Sequence, residues 1–397
     1  MTAGESHGPQ LTALVAGLPS GLLLDREALD HQLARRQAGY GRSPRQQLER
    51  DTATVTGGVR HGRTMGGPVA ISIANRDHEN WSQAMSVWPT DEPQGNWRDR
   101  PTSLVRPGHA DLAGMARGNF TELRPVLERA SARETAARVA VGACTQALLS
   151  ELGITVRAHV RALGSVCSDA PIPGPGDWAH LEQSQLLCLD ASVEQRMIAA
   201  IDAAREERDT LGGVLEIIAY GCPPGLGGYV TSRERLDGRL AGAALSVQAM
   251  KGVEFGDGFA LAGRPGSAAH DEVFPAADDA TTQGMGVVRH TNHAGGIEGG
   301  MTNGAPIVVR VAMKPLPTLM RPLASVDLTT GEPSPAHAER SDTCAVPAAA
   351  VVLECAIAFE LARVVREQFG MQSLDDLLHA WRAYCERVRL PQPQLQG

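Results

Sequence analysis

Residues 129–143, RASARETAARVAVGA, combine arginines with a hydroxyl, a carboxylate and small side chains at the start of an alanine-rich helix. Arginine presents planar, bidentate donors to phosphate and carboxylate groups. The free backbone N–H groups at a helix N-terminus also favour anions. The alternative is a solvated helix whose charges form ordinary i, i+4 pairs. This segment alone favours neither interpretation, so the rest of the chain must decide.

Two histidines lie among small residues, where the backbone can approach a ligand closely. His7 belongs to Gly4–Gly8 (GESHG), and His109 belongs to Arg106–Asp111 (RPGHAD). Both are candidate acid–base residues, because histidine exchanges a proton near neutral pH. The alternatives are a solvent-facing histidine in a flexible N-terminus for His7 and a simple N-cap of the next helix for Asp111.

Other motifs give weaker or negative results. Asp342 lies just before the last long helix, where a capping role is the simplest interpretation. Gly4–Gly8 matches the G-x-S-x-G nucleophile elbow, but only Met1–Ala3 stand where that elbow needs a strand, which argues against a serine hydrolase. No P-loop is present, and no G-x-G-x-x-G follows a predicted strand.

Composition excludes several classes of protein. The net charge of -8 argues against a non-specific polyanion binder, and 4% aromatic residues leave few stacking surfaces for nucleic acid. The seven cysteines contain no C-x-x-C pair, so we expect no zinc site, no disulfide framework and a reducing, cytoplasmic location. No apolar run reaches the length of about 18 residues that a membrane span needs. Arginines from distant segments of an acidic chain therefore indicate acid–base chemistry on a small, multiply anionic ligand.

Strands in hairpin-like groups, with helices between them, favour an α+β fold over a doubly wound sheet. We expect two strands within 10–24, a hairpin from 52–60 and 67–74, and strands at 154–163, 213–220, 252–255 and 305–313. We expect helices at 26–37, 131–152, 192–207, 234–247 and 346–369. Loops are expected at 75–108 and 171–176, and residues 287–304 are too rich in glycine for a regular element. No low-complexity linker is present, so we expect a single domain over residues 1–397.

Together these segments closely resemble the chorismate synthase family. Its three signatures stand in order as GESHG at Gly4–Gly8, the ARET-centred helix start at Arg129–Ala143 and RSD at Arg340–Asp342. Four further segments add to the resemblance: RRQAGYGR at 35–42, RPGHAD at 106–111, QAMKGVEFGDGF at 248–259 and TNHAGGIEGGMTNG at 291–304. The resemblance covers essentially the whole chain.

The resemblance implies a reaction, a cofactor and a fold. The reaction is an anti-1,4-elimination of phosphate from 5-enolpyruvylshikimate-3-phosphate, giving chorismate, the last common step of the shikimate pathway to aromatic amino acids. Reduced FMN is required without net redox change; its electron-rich ring can stabilise charge or radical character, and its N5 can receive the departing hydrogen. The implied fold is a β-α-β sandwich, with a helical layer between two antiparallel sheets, assembled as a homotetramer. Some family members reduce the flavin themselves with NAD(P)H, and others rely on an external reductant. No reductase domain is visible in this sequence, which favours the external reductant. NADPH is the candidate reductant in the alternative case.

The family's residue roles carry over onto matching positions. His7 is expected to act as general acid near the leaving phosphate, His109 to protonate or stabilise reduced flavin at its N1 side, and Asp342 to form a proton relay with the flavin N5. The arginines expected to hold the substrate are Arg36, Arg42, Arg45, Arg106, Arg133 and Arg340. The residues expected to contact FMN are Arg129, Ala130, Ser131, Gln248, Ala249, Gly299, Lys314, Pro315, Leu316, Pro317, Thr318 and Arg340. No metal, nucleic acid or membrane partner is expected.

The sequence departs from the family pattern in two places. Family members usually carry several more residues before GESHG than Met1–Ala3, which leaves a misassigned start codon as an open alternative. Residues 43–46 read SPRQ, where many members have a glycine-rich loop.

Three function classes compete: a flavin-dependent phosphate lyase, a flavin oxidoreductase that consumes NAD(P)H in step with product, and a non-catalytic anion-binding module that needs only the arginines.

Overall fold

Two larger antiparallel sheets form the frame of the protein. The computed structural model describes residues 1–42, 50–89, 102–277, 282–337, 341–370 and 372–389. The strands of the first sheet are Thr2–Ala3 (β1), Gln10–Val15 (β2), Thr54–Gly57 (β3) and Val69–Ala74 (β6), in the order β1-β2-β6-β3. Those of the second are Thr155–Leu163 (β7), Val166–Cys167 (β8), Gly213–Tyr220 (β9), Met250–Phe255 (β10) and Ile307–Met313 (β15), in the order β10-β15-β9-β7-β8.

Short antiparallel pairs complete the strands. They are Val59–Arg60 (β4) with Arg63–Thr64 (β5), Val273–Pro275 (β11) with Val287–Arg289 (β12), Ile297–Glu298 (β13) with Met301–Thr302 (β14), and Ala324–Val326 (β16) with Pro333–Pro335 (β17).

The helices differ widely in length. They are Arg26–Gln37 (α1), Asp111–Gly118 (α2), Arg124–Ala130 (α3), Thr135–Glu151 (α4), Trp178–Leu181 (α5), Ala191–Glu206 (α6), Leu236–Leu245 (α7), Gly266–Ala269 (α8), Val346–Phe369 (α9) and Leu374–Arg389 (α10). Short 3₁₀ turns lie at Arg76–Trp81, Ala132–Glu134 and Gly258–Gly263. Within the described ranges, no helix is both long enough and apolar enough to cross a membrane.

Helices α1, α4 and α9 form a layer between the two sheets. α4 packs on β2 and β6 of the first sheet, α9 packs on β7 and β9 of the second, and the two helices contact each other. Their approach is close: a Cβ at Gly142 of α4 would lie 2.2 Å from Cys355 Cβ of α9. The α+β sandwich with a helical layer between antiparallel sheets is therefore confirmed.

The two sheets differ in how their faces are covered. In β2, Leu11, Ala13 and Val15 are buried while Leu14 is exposed, which is the alternation of a sheet with one face towards water. In β9, residues 215–219 are buried without interruption, so both faces of the second sheet are covered there. The core lies between the sheets and continues around the second one.

Most of the elements expected from the sequence are confirmed. Asp25 caps α1 by accepting a hydrogen bond from the backbone N of Glu27 at 3.0 Å. The helices expected at 192–207, 234–247 and 346–369 agree with α6, α7 and α9 within two residues, and the hairpin of 52–60 with 67–74 forms through β3 and β6. The helix expected at 131–152 begins with a 3₁₀ turn and becomes α4.

Other expectations were wrong. Residues 18–24 contain isolated bridges rather than a second strand, because the turn at Gly21 (φ 88°) leads into an irregular segment. Residues 287–304 do contain the short strands β12, β13 and β14. Helix α10 was not expected, although Leu374, Leu377 and Trp381 mark its buried face. The capping interpretations also fail: Ala110 is the N-cap of α2, and Ala345 is the N-cap of α9.

Candidate active site

A cavity of about 860 Å³ opens where the first turns of α4 and α9 meet the loop before β2. The segments around it come from the N-terminal, central and C-terminal parts of the chain. The candidate residues that line it are His7, Arg36, Arg42, Arg106, His109, Ala130, Ser131, Arg133, Gln248, Ala249, Lys314, Leu316, Pro317, Thr318 and Asp342. Arg45 and Arg340 lie outside the described residues. The fold thus brings most of the candidates together in one space.

Three FMN candidates do not line the cavity. The guanidinium of Arg129 is half-exposed and donates to the backbone oxygens of Gly4 and Thr2 at 3.1 and 3.2 Å, so it holds the N-terminal strand. Gly299 lies in the turn between β13 and β14 with φ 61°. Pro315 follows β15 between residues that do line the cavity, Lys314 and Leu316.

His7 is held on three sides. Its backbone N donates to Glu128 Oε2 at 2.8 Å, and its ring Nδ1 lies 3.0 and 3.1 Å from the two carboxylate oxygens. Its ring stacks on Trp81 with centroids 4.0 Å apart. His7 is only 9% exposed, so the interpretation as a solvent-facing histidine in a flexible N-terminus is wrong.

Glu128 is ionised in this setting. Burial alone would raise the pKa of Glu128, but the hydrogen bonds and charge of His7, together with the charge of Arg124, lower it. A carboxylate only accepts hydrogen bonds, so the Nδ1 of His7 must carry the proton that points to Glu128.

His109 has the same kind of partner. Asp111 is fully buried and accepts from the backbone N of Arg106 at 2.9 Å, from its guanidinium at 3.2 Å and from His109 Nδ1. Burial would raise the pKa of Asp111, but the hydrogen bonds from His109 and Arg106 hold it well below its usual range. Arg106 Nη2 lies 3.4 Å from His109 Nε2. The same Nη2 lies 3.1 Å from His109 Nδ1, so the Arg106 guanidinium contacts both the ring and its carboxylate partner.

A buried carboxylate orders the arginines beside α4. Asp51 Oδ2 lies 2.6 Å from Arg133 Nη1 and 3.5 Å from Arg36 Nη1. Arg36 Nε also donates to Thr135 Oγ1 at 2.9 Å, and Arg133 Nε donates to Asn75 Oδ1 at 2.9 Å. These contacts fix the planes of two guanidinium groups at the cavity wall.

Arg42 and Asp342 form a further ion pair, just before the N-terminus of α9. Arg42 Nη1 lies 3.1 Å from Asp342 Oδ2, and both side chains are nearly buried. Among the described residues, no group accepts a hydrogen bond from the buried Arg42 Nε. The site therefore keeps a donor available for an anion.

The rest of the cavity wall offers polar and apolar contacts. Gln248 Nε2 donates to Glu134 Oε2 at 3.2 Å, while the buried Gln248 Oε1 has no hydrogen-bond partner within the described part of the chain. Lys314 Nζ donates to the carbonyl oxygen of Gly108, which ties this wall to the His109 loop. Apolar side chains complete it: Val247, Met250, Met313, Leu316, Pro317, Ala345, Ala348 and Val352.

Sequence reasoning missed Glu128, Asp51 and Trp81. The spacing of Arg124 and Glu128 at i, i+4 on α3 was a weak signal, and the need for negative charge beside so many arginines was another. Across the described residues, no group of three or more His, Cys, Asp or Glu is arranged to hold a metal ion.

Comparisons with known proteins agree on one family. The family model described as chorismate synthase matches residues 1–365. A chorismate synthase of Thermobifida fusca (strain YX) is 49% identical over 393 residues, covering 98% of each chain, and one of Mycobacterium avium (strain 104) is 50% identical over 392 residues, covering 98% of this chain and 96% of the other. A chorismate synthase crystal structure is similar with a TM-score of 0.77 and 37% identity, covering 98% of this chain and 97% of that one.

Proposed function

This chain belongs to the chorismate synthase family, and we propose that its cavity converts 5-enolpyruvylshikimate-3-phosphate into chorismate by anti-1,4-elimination of phosphate, with reduced FMN as cofactor. One observation carries the proposal: two carboxylate-bound histidines and arginines from separate segments line the same cavity. Its volume of about 860 Å³ lies towards the upper end of the range of about 300–1,000 Å³ for small-molecule sites. That size suits a substrate together with a cofactor.

The arginines are proposed to bind the substrate's phosphate and carboxylates. Arg36 and Arg133 share Asp51, and Arg42 is paired with Asp342. Guanidinium groups match phosphate and carboxylate geometry bidentately. Because their planes are already fixed by neighbouring side chains, little order is lost when the substrate binds.

His7 is proposed as the general acid at the leaving phosphate. Breaking the C–O bond places negative charge on the phosphate oxygen, and a proton delivered there stabilises the products of that step. Since Nδ1 is bound to Glu128, Nε2 is the ring atom that delivers this proton.

The residues proposed to hold FMN include Ala130, Ser131, Gln248 and Ala249, together with the segment 314–318. Among the described residues, Gln248 Oε1 has no hydrogen-bond partner. This acceptor and the broad apolar wall fit a ligand that carries both ring donors and an aromatic surface. When bound, reduced FMN supplies an electron-rich ring that supports the loss of phosphate and the departure of the ring hydrogen.

His109 and Asp342 are proposed to handle protons on the cofactor side of the cavity. His109 is anchored to Asp111 through Nδ1, and Asp342 is anchored to Arg42. These anchors fix the place of each group in the cavity wall. Arg129, Gly299 and Pro315 stay predictions of the family resemblance, because none of them lines the cavity.

We also propose one domain over residues 1–397, a homotetramer and a cytoplasmic location. The tetramer follows the family resemblance, and strongly exposed apolar side chains such as Tyr229, Val230 and Phe259, which are 74%, 73% and 83% exposed, fit burial between subunits. The location rests on the biosynthetic reaction and on the seven cysteines, which are all free thiols.

Anaerobic turnover with chemically reduced FMN and 5-enolpyruvylshikimate-3-phosphate tests the function. The expected result is chorismate and phosphate in equal amounts, with no net oxidation of the flavin. Consumption of NAD(P)H in step with product would instead indicate an oxidoreductase. Binding without turnover, unchanged when both histidines are replaced, would indicate an anion-binding module. Repeating the assay with oxidised FMN plus NADPH decides whether the protein reduces its own flavin or needs an external reductant.

A further inference from the structure

We infer that Glu128 is a positioning residue: it holds His7 with the proton on Nδ1 and thereby reserves Nε2 for proton delivery to the leaving group. This inference rests on the proposed role of His7. In the step concerned, the Nε2–H bond of the imidazolium breaks and its electron pair stays on nitrogen. The new O–H bond forms on the departing phosphate. The neutral imidazole that remains keeps its Nδ1–H bond to Glu128.

The contacts of Glu128 are those of a group built to orient a ring. Its carboxylate contacts both the backbone N of His7, at 2.8 Å, and the ring Nδ1, at 3.0 and 3.1 Å. The side chains of Glu128 and His7 are 3% and 11% exposed, so water competes weakly for these bonds. Fixing main chain and ring with one carboxylate leaves the imidazole little freedom to rotate.

Two neighbours hold the carboxylate and the ring in place. Arg124 Nη1 lies 3.6 Å from Glu128 Oε1, one helical turn earlier on α3. The Arg124 guanidinium also lies over the Trp81 ring at 5.2 Å, and Trp81 stacks on His7. Asp77 anchors Trp81 by accepting from its Nε1 at 3.1 Å. The ring of His7 is therefore clamped at its edge by Glu128 and on its face by Trp81.

Protonation of Glu128 would defeat this arrangement, and the surroundings oppose it. The hydrogen bonds and charge of His7 and the charge of Arg124 outweigh the effect of burial on the pKa of Glu128. An amide at this position would have the same shape, but its NH₂ group could donate to Nδ1 and so stabilise the other tautomer. In a serine-protease triad, the same exchange of carboxylate for amide leaves the geometry intact but produces the wrong tautomer.

The first test compares Glu128→Gln with Glu360→Gln. Glu360 is a matched control: it is a buried carboxylate, paired with Arg239 at 2.6 Å and Arg363 at 2.9 Å, and it does not line the cavity. We expect Glu128→Gln to lower kcat at least tenfold, up to the whole contribution of about 10²–10⁴-fold that a general acid makes. KM for the substrate should change little, and Glu360→Gln should turn over like wild type.

A double-mutant cycle with His7→Ala separates positioning from a structural role. If Glu128 acts through His7, Glu128→Gln adds no further loss of kcat in the His7→Ala background. Wild-type kcat in Glu128→Gln, or a loss that multiplies in full with that of His7→Ala, would overturn the inference. If His7→Ala itself turns over normally, the proposed role of His7 fails and this inference fails with it. If His7→Ala is slow while Glu128→Gln is not, only the inference on Glu128 fails. Should Glu128→Gln not fold, Glu128→Ala, which removes the carboxylate altogether, replaces it in the same cycle with the same criteria.

Discussion

Replacing Asp51 by Asn tests whether the cavity's arginines are held in place by a buried counter-charge. Asp51 is 2% exposed at its side chain and lies between the guanidinium groups of Arg133 and Arg36, at 2.6 and 3.5 Å. Those two side chains are themselves only 9% and 8% exposed. The substitution keeps the size of the side chain but leaves two buried cations without their shared anion.

The expected magnitude follows from that burial. Losing one partner of a buried ion pair costs about 3–5 kcal/mol, because the remaining charge stays desolvated. The amide of Asn still accepts one hydrogen bond, so we expect about 3 kcal/mol, at the low end. A change of 1 kcal/mol shifts Tm by about 2–4 °C in proteins of 150–250 residues and by less in longer chains. Asp51→Asn should therefore lower Tm by roughly 3–6 °C.

Substrate should reverse much of this loss. An anionic ligand replaces the missing negative charge, and a ligand that binds the folded state stabilises it in proportion to RT ln(1 + [L]/Kd). The increase in Tm caused by 5-enolpyruvylshikimate-3-phosphate should be larger in Asp51→Asn than in wild type. Scanning calorimetry with and without substrate measures both effects.

The surface pair of Arg235 and Asp237 supplies the control. Its side chains are 45% and 30% exposed, and such pairs contribute about 0–1 kcal/mol. Asp237→Asn should leave Tm and its response to substrate nearly unchanged. If Asp51→Asn behaved like Asp237→Asn, the idea that Asp51 organises the arginines would be refuted.

Three further outcomes are expected. Arg45→Ala should raise the substrate Kd roughly tenfold or more, since a charge-assisted hydrogen bond is worth about 1.5–3 kcal/mol; unchanged binding in calorimetry, with the fold intact, would remove Arg45 from the site. His7→Ala and His109→Ala should each slow turnover about 10²–10⁴-fold, and only His109→Ala should change the anaerobic spectrum of bound reduced flavin; wild-type rates would contradict both roles. Light scattering at micromolar concentration should give a tetramer mass, and a clean monomer mass would count against the proposed assembly.

The regular elements could be predicted where one physical signal dominated. Asp25 predicted the start of α1, and the apolar runs of β9 and β15 predicted strands. These predictions were possible because caps and strand patterns are local in sequence. The segment 18–24 misled, since its leucines are apolar in a pattern that suits a strand. Leu22 is fully buried there, but its backbone follows a turn and pairs only at isolated bridges. Burial alone does not specify a ladder of hydrogen bonds.

The site could be predicted only in part. His7, His109 and Asp342 came from motifs, and the fold brings them to one cavity. Glu128 and Asp51 could not be found in this way, because their partners are distant in sequence: Glu128 contacts His7 across 121 positions, and Asp51 contacts Arg133 across 82. No local pattern encodes such pairs, which depend on how α3 and α4 pack beside the first sheet.

Two histidines and four arginines of the cavity share one arrangement: each contacts a buried or nearly buried carboxylate. Glu128 serves His7, Asp111 serves His109 and Arg106, Asp342 serves Arg42, and Asp51 serves Arg36 and Arg133. A multiply anionic substrate must therefore compete with carboxylates that the protein already provides. A single small anion replaces one such contact and gains little, whereas a ligand with three anionic groups at fixed separations gains several contacts at once. This arrangement reconciles an acidic chain with a polyanionic substrate, because selectivity comes from the spacing of the arginines rather than from net charge.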